Sequence, residues 1–148
     1  METIIKEFVL FKLIENLFIV LFFLMFNKIK ENPMIIIVHV FMLSSLNTIL
    51  KVLFSGSILM QLFGIIVIII YFTSIYHVKI SHSIITVIIS FSILLVSEAI
   101  IVIFYLNITM IDMSKMSNDF NKFLWFIPIR ILEYISLYIL YLIKNKMR

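Results

Sequence analysis

Cysteine is absent from the 148 residues, and glycine and proline occur twice each. Without cysteine there is no disulfide, no thiolate metal site and no cysteine nucleophile. Glycine this scarce cannot build a phosphate-cradling loop, and no nucleophile elbow or HExxH pair is present. Few glycines and prolines also leave few places for a helix to break. Charge is scarce too. Asp, Glu, Lys and Arg make up 14% of the chain, where a soluble surface carries about 25% or more. The net charge is +4, spread over short loops and the C-terminal residues rather than gathered in a block. Nucleic acid is therefore not an expected partner.

What is present is apolar. Hydrophobic residues make up 64% of the chain and the mean hydropathy is +1.22. Lipid, not water, suits such a surface, and the expectation is an integral membrane protein. Residues 83–106, SIITVIISFSILLVSEAIIVIFYL, carry one charge, Glu98. At ~1.5 Å per residue this run crosses the ~30 Å hydrocarbon core as a helix. A carboxylate there costs several kcal/mol unless it is protonated, paired or wet.

Hydropathy divides the whole chain the same way. It predicts an all-α, polytopic membrane bundle of about five transmembrane helices, over residues 8–26, 33–51, 57–76, 83–106 and 122–143. Together they form a single transmembrane domain, residues 1–148. Residues 27–32 (NKIKEN) and 77–82 (HVKISH) read as short loops, 53–56 as a tight turn and 107–121 as the longest connection. Pro33 suits a helix start. Lys6 precedes an apolar run as in a signal peptide. Lys12 and Glu15 interrupt that run and no small-residue cleavage site follows, so it reads as a retained first helix. Lys28, Lys30, Lys79, Lys144, Lys146 and Arg148 fall on one side of five crossings. On the other side Lys6, Lys51, Lys115 and Lys122 are diluted by Glu2, Glu7, Asp112 and Asp119. The positive-inside rule then puts the N-terminus outside and the C-terminus in the cytoplasm. Trp125 and Phe126 suit an outer aromatic belt.

Polar residues form one stripe per helix: Lys12, Glu15 and Asn16; Ser44, Asn47, Thr48 and Lys51; Ser57, Gln61 and Gly64; Ser83, Ser90, Ser97 and Glu98; Arg130, Glu133 and Tyr134. One-sided polarity in lipid marks a face that packs on other helices. Antiparallel alternation brings these groups to one half of the bilayer, the outer half by the charge rule. The other half is expected to be nearly apolar, with His39 its main exception.

The candidate site is a polar pocket open to the outside, lined by Glu15, Asn47, Gln61, Glu98, Arg130 and Glu133. The plainer alternative is that these groups satisfy one another. Lys12 can pair with Glu15, and Arg130 with Glu133, at i, i+3. Glu98 would bond Asn47, Gln61 or a cation. Contacts of this kind are worth about 1 kcal/mol each and can simply hold a bundle together. His39 reads as a packing residue. His77 and His82 lack a nearby carboxylate, so no zinc site is expected. Asn107-Ile108-Thr109 matches a glycosylation sequon, which matters only in a eukaryotic secretory pathway. No cofactor, no metal and no catalysis are expected.

The run FKLIENLFIVLFFLMFNKIK (residues 11–30) resembles the opening of the membrane input domains of GHKL-type histidine kinases related to the accessory gene regulator receptor. ISFSILLVSEAIIVIF (89–104) and IPIRILEYISLYILYLIKNKMR (127–148) are similar in style to later helices of such domains. The likeness spans most of the chain and is one of pattern. It implies a sensor of a two-component system. A ligand, often a small peptide, would bind from outside and shift the last helix in a dimer. No phosphoacceptor or ATP-binding motif occurs in these residues, which implies an input domain or a stand-alone small membrane protein.

Three functions follow as expectations. The first is a receptor for an extracellular peptide or small ligand, signalling through the C-terminus. The second is a small proton- or ion-coupled transporter or transporter subunit, with Glu15 or Glu98 as the protonatable group. The third is a membrane scaffold or assembly subunit. The expected partners are the lipid bilayer and a second copy or another membrane protein.

Overall fold

A computed structural model describes residues 12–54, 58–109 and 119–146. Among them are five helices and no strand: α1 (Leu13–Phe26), α2 (Pro33–Phe54), α3 (Ile58–Tyr76), α4 (Ile80–Thr109) and α5 (Asp119–Lys146). The described residues form an all-helical structure, as hydropathy predicts. Among the described residues, two stretches have both the length and the hydropathy to cross a membrane, Pro33–Leu50 and Ile80–Ile101. Leu13–Phe26 and Leu62–Tyr76 are shorter apolar helices. Residues 8–11 of the first expected span, and Ser57 of the third, lie outside the described residues.

Helix ends differ from the hydropathy limits in one direction. α2 runs on through Leu53 and Phe54, where a turn was expected. α4 begins at Ile80 and ends at Thr109, and α5 runs from Asp119 to Lys146. Apolarity marks the part of a helix that suits hydrocarbon. The backbone ladder can continue through polar residues, because water and headgroups satisfy the terminal N–H and C=O groups. The expected loop 77–82 accordingly shrinks to three residues, and His82 and Ser83 donate their backbone N–H groups to the Lys79 carbonyl at 2.9 and 3.1 Å.

The described residues divide into two compact units within α4, after Ser90. In the first, α1 packs on α2 and α2 on α3. α1 is buried on nearly all sides: Phe18, Ile19, Val20, Phe22, Phe23 and Leu24 are all at or below 5% exposure. A helix covered on nearly all sides lies in the interior of its unit. Phe23 stacks on Phe72 of α3, with ring centroids 4.0 Å apart. Such a pair adds about 0.5–1.5 kcal/mol beyond its area.

The loop between α1 and α2 shows what glycine scarcity costs. Lys28 follows the helix with φ 59°, in the left-handed region. The Lys28 N–H donates to the Met25 carbonyl at 3.2 Å and the Ile29 N–H to the Leu24 carbonyl at 2.9 Å. This is the paired closure of a Schellman motif, usually built on glycine. His77 (φ 50°) follows α3 in the same conformation. α2 then starts on its strongest signals. Asn32 Oδ1 accepts the Met34 N–H at 3.0 Å as an N-cap, and Pro33 occupies the first helical position.

In the second unit, α4 buries Leu94, Ser97 and Ile101, spaced as one stripe. α5 buries Ile129 and Glu133, while Ile127, Ile131, Ile135 and Ile139 are exposed. Pro128 lies inside α5. Its ring withholds one ladder donor from the carbonyl four residues back.

Candidate functional site

The polar residues of α1 and α2 meet in one connected network. Lys12 Nζ pairs with Glu15 Oε2 at 2.7 Å, the expected i, i+3 contact. Both side chains are only partly exposed, at 29% and 20%. Asn16 is fully buried. Its Nδ2 donates to the Lys12 carbonyl at 2.8 Å and to Ser44 Oγ at 3.1 Å. Its Oδ1 accepts from Asn47 Nδ2 at 3.0 Å. Ser44 Oγ also donates to the Lys12 carbonyl, at 3.2 Å. Glu15 and Asn47 are thus joined through Lys12 and Asn16. Each amide and hydroxyl in the network has a partner, as burial away from water requires.

Gly64 of α3 faces the same amide. A Cβ added there would lie 3.5 Å from Asn47 Oδ1, an ordinary contact distance. This brings α3 against the network one turn beyond Gln61. The Gln61 backbone is helical, and its side chain lies outside the described residues.

The remaining candidates belong to the second unit. Arg130 Nη1 donates to both Glu133 oxygens, at 2.8 Å each. Glu133 is fully buried and the Arg130 side chain is 12% exposed. Both bonds come from the same guanidinium nitrogen, so Nε and Nη2 take no part in this pair. Ser136 Oγ adds a bond to the Glu133 carbonyl at 2.6 Å. Glu133 lies at the middle of α5, as it already does within the expected span 122–143. The observed ends of α5 leave fourteen residues before Glu133 and thirteen after it. Glu98 lies on α4 and is half-buried. Asn47 is thus held by Asn16, and Arg130 by Glu133.

A second polar layer lies at the opposite end of the first unit, where an apolar half was expected. His39 Nδ1 is hydrogen-bonded to Tyr71 Oη, and its ring meets Tyr76 edge-on at 5.4 Å. Tyr71 Oη also reaches Met42 Sδ at 3.7 Å. Asn27 Nδ2 donates to Thr86 Oγ1 at 3.3 Å, tying the end of α1 to the start of α4. His39 Nε2, Thr73 Oγ1, Tyr76 Oη and Ser83 Oγ are buried without a partner. His39 does pack between helices, as its isolation in an apolar run suggests. Its tyrosine partners could not be read from the sequence, because helical spacing within α3 does not say which α2 side chain they meet.

Comparison with family models, with curated proteins and with solved structures finds no match.

Proposed function

We propose that the chain is a multi-pass membrane protein of five crossings acting as a receptor-type domain. The N-terminus lies outside and the C-terminus in the cytoplasm. Two helices of sufficient length and hydropathy support the membrane placement, together with the exposed Ile, Leu, Val and Phe side chains on α2 to α5. An apolar surface of that extent would drive aggregation in water. The absence of cysteine makes the topology easy to test. Impermeant thiol labelling of Ser117→Cys from outside and Asn145→Cys from inside supports it, and the reverse pattern or same-side labelling refutes it.

The buried Arg130–Glu133 pair carries the receptor reading. A buried ion pair gives little net stability over an apolar pair of the same size, so a charge pair halfway along a membrane helix points to function. Arg130 keeps two nitrogens outside the pair, and a ligand carboxylate can compete with Glu133 for the guanidinium. Exchange of that partner would favour one setting of α5 over another, which is what signalling requires. Trp125, the only tryptophan, lies just over one turn before Arg130 and can report the event. Acidic peptides added to the reconstituted protein should change its fluorescence saturably, and Arg130→Ala should abolish the change while still inserting. No response from any peptide, or an unaltered response in Arg130→Ala, refutes the reading.

One observation favours a transporter as the second reading. Pro128 and the Arg130–Glu133 pair sit together near the helix centre, where interrupted helices hold substrate and coupling ions in transporters. Proton-coupled flux in liposomes, lost in Glu133→Gln, would decide for it.

A further inference from the structure

The first unit presents a basic rim at one end. Lys28 and Lys30 in the first loop, with His77, Lys79 and His82 around the start of α4, are all exposed. Glu31 is the one acid among residues 27–32 and 77–82. The two segments lie side by side. Asn27 bonds Thr86, the Phe23 ring lies 5.9 Å from that of Tyr76, and Tyr76 touches His39 near the start of α2. The left-handed residues Lys28 and His77 turn both segments sharply off their helices. Beneath the rim is the layer of Asn27, His39, Tyr71, Tyr76 and Thr86.

We propose that this rim binds the phosphate of an anionic phospholipid headgroup. Lysine ammonium groups suit phosphate as point charges, and basic residues set at the membrane surface attract anionic lipid. The inference rests on the membrane placement above, because only that placement brings headgroups to the rim. Lys12, at the other end of α1, is engaged by Glu15 and takes no part.

The test uses the full chain in nanodiscs of phosphatidylcholine with a minority of phosphatidylglycerol, with retained lipid read by native mass spectrometry. The expected result is selective retention of phosphatidylglycerol. Lys28→Gln, Lys30→Gln and Lys79→Gln should each lower retention about fivefold, and together abolish it, while Lys12→Gln leaves it unchanged. Equal retention of both lipids, or an unaffected triple variant, overturns the proposal. Displacement by inorganic phosphate also overturns it, by reassigning the rim to a soluble anion. If the chain does not float with vesicles, the membrane placement falls and the lipid site with it. Flotation without lipid preference sinks the lipid site alone.

Discussion

Asn47 Nδ2 donates to Asn16 Oδ1 at 3.0 Å across the α1–α2 interface, and Asn16 is wholly buried. Two amides that answer each other between helices are a common adhesive in lipid, worth about 0.6–2 kcal/mol. Asn16→Ala should cost more than this, since it removes three hydrogen bonds at once and leaves Asn47 Nδ2 without Asn16 Oδ1, while Ser44 Oγ keeps the Lys12 carbonyl. A double-mutant cycle with Asn47→Ala isolates the pair. Unfolding in mixed detergent micelles should give a coupling of about 0.6–1.7 kcal/mol. Additivity within ~0.3 kcal/mol would mean the two amides do not interact.

Gly64 gives a finer test of the same interface. An added methyl would meet Asn47 Oδ1 at 3.5 Å, without a clash. Alanine is also the better helix former, by about 0.8–1.0 kcal/mol. Gly64→Ala should therefore raise stability by up to about that amount. Gly64→Leu should lower it by about 1–3 kcal/mol through overpacking. A destabilised alanine variant would show that α3 packs closer than the structure has it.

Lys28 is held at φ 59° by the closure of α1. A left-handed conformation costs a side-chain-bearing residue roughly 1–2 kcal/mol, part of which glycine avoids. Lys28→Gly should stabilise the protein by about 0.5–1 kcal/mol, offset in part by the freer unfolded chain. Chemical unfolding measures it. An unchanged or lowered stability would rule out the left-handed closure.

These residues also show what could be read in advance. Hydropathy located every described helix, because an apolar run of that length has few other uses. It missed helix ends, because hydrogen bonding rather than apolarity decides them: α4 gains three residues at each end. Pairs within a helix were legible, as Lys12–Glu15 and Arg130–Glu133 follow from spacing alone. Pairs between helices were not. Asn16 meets Asn47, and His39 meets Tyr71, through the axial register of neighbouring helices. No periodicity within one helix encodes that register. Lys28 escaped notice because its conformation normally announces itself by glycine.

Arg130 and Glu133 allow stability and function to be separated. Glu133 has no exposed surface, and both its carboxylate oxygens accept from Arg130 Nη1 at 2.8 Å. Breaking a buried pair by removing one partner is strongly destabilising, so Arg130→Leu or Glu133→Leu alone should cost about 3–5 kcal/mol. Removing both together should restore most of the loss, because apolar residues of similar size replace a buried pair at little cost. Unfolding followed by Trp125 fluorescence measures all four corners of the cycle. Single variants costing under ~1 kcal/mol would mean that the pair is wet and behaves as a surface bridge. The double variant is the informative one for function. It should fold and insert, yet no longer respond to acidic peptides, because the guanidinium that would receive their carboxylate is gone. A stable double variant that still responds would leave the pair a packing device and move any ligand site elsewhere in the chain.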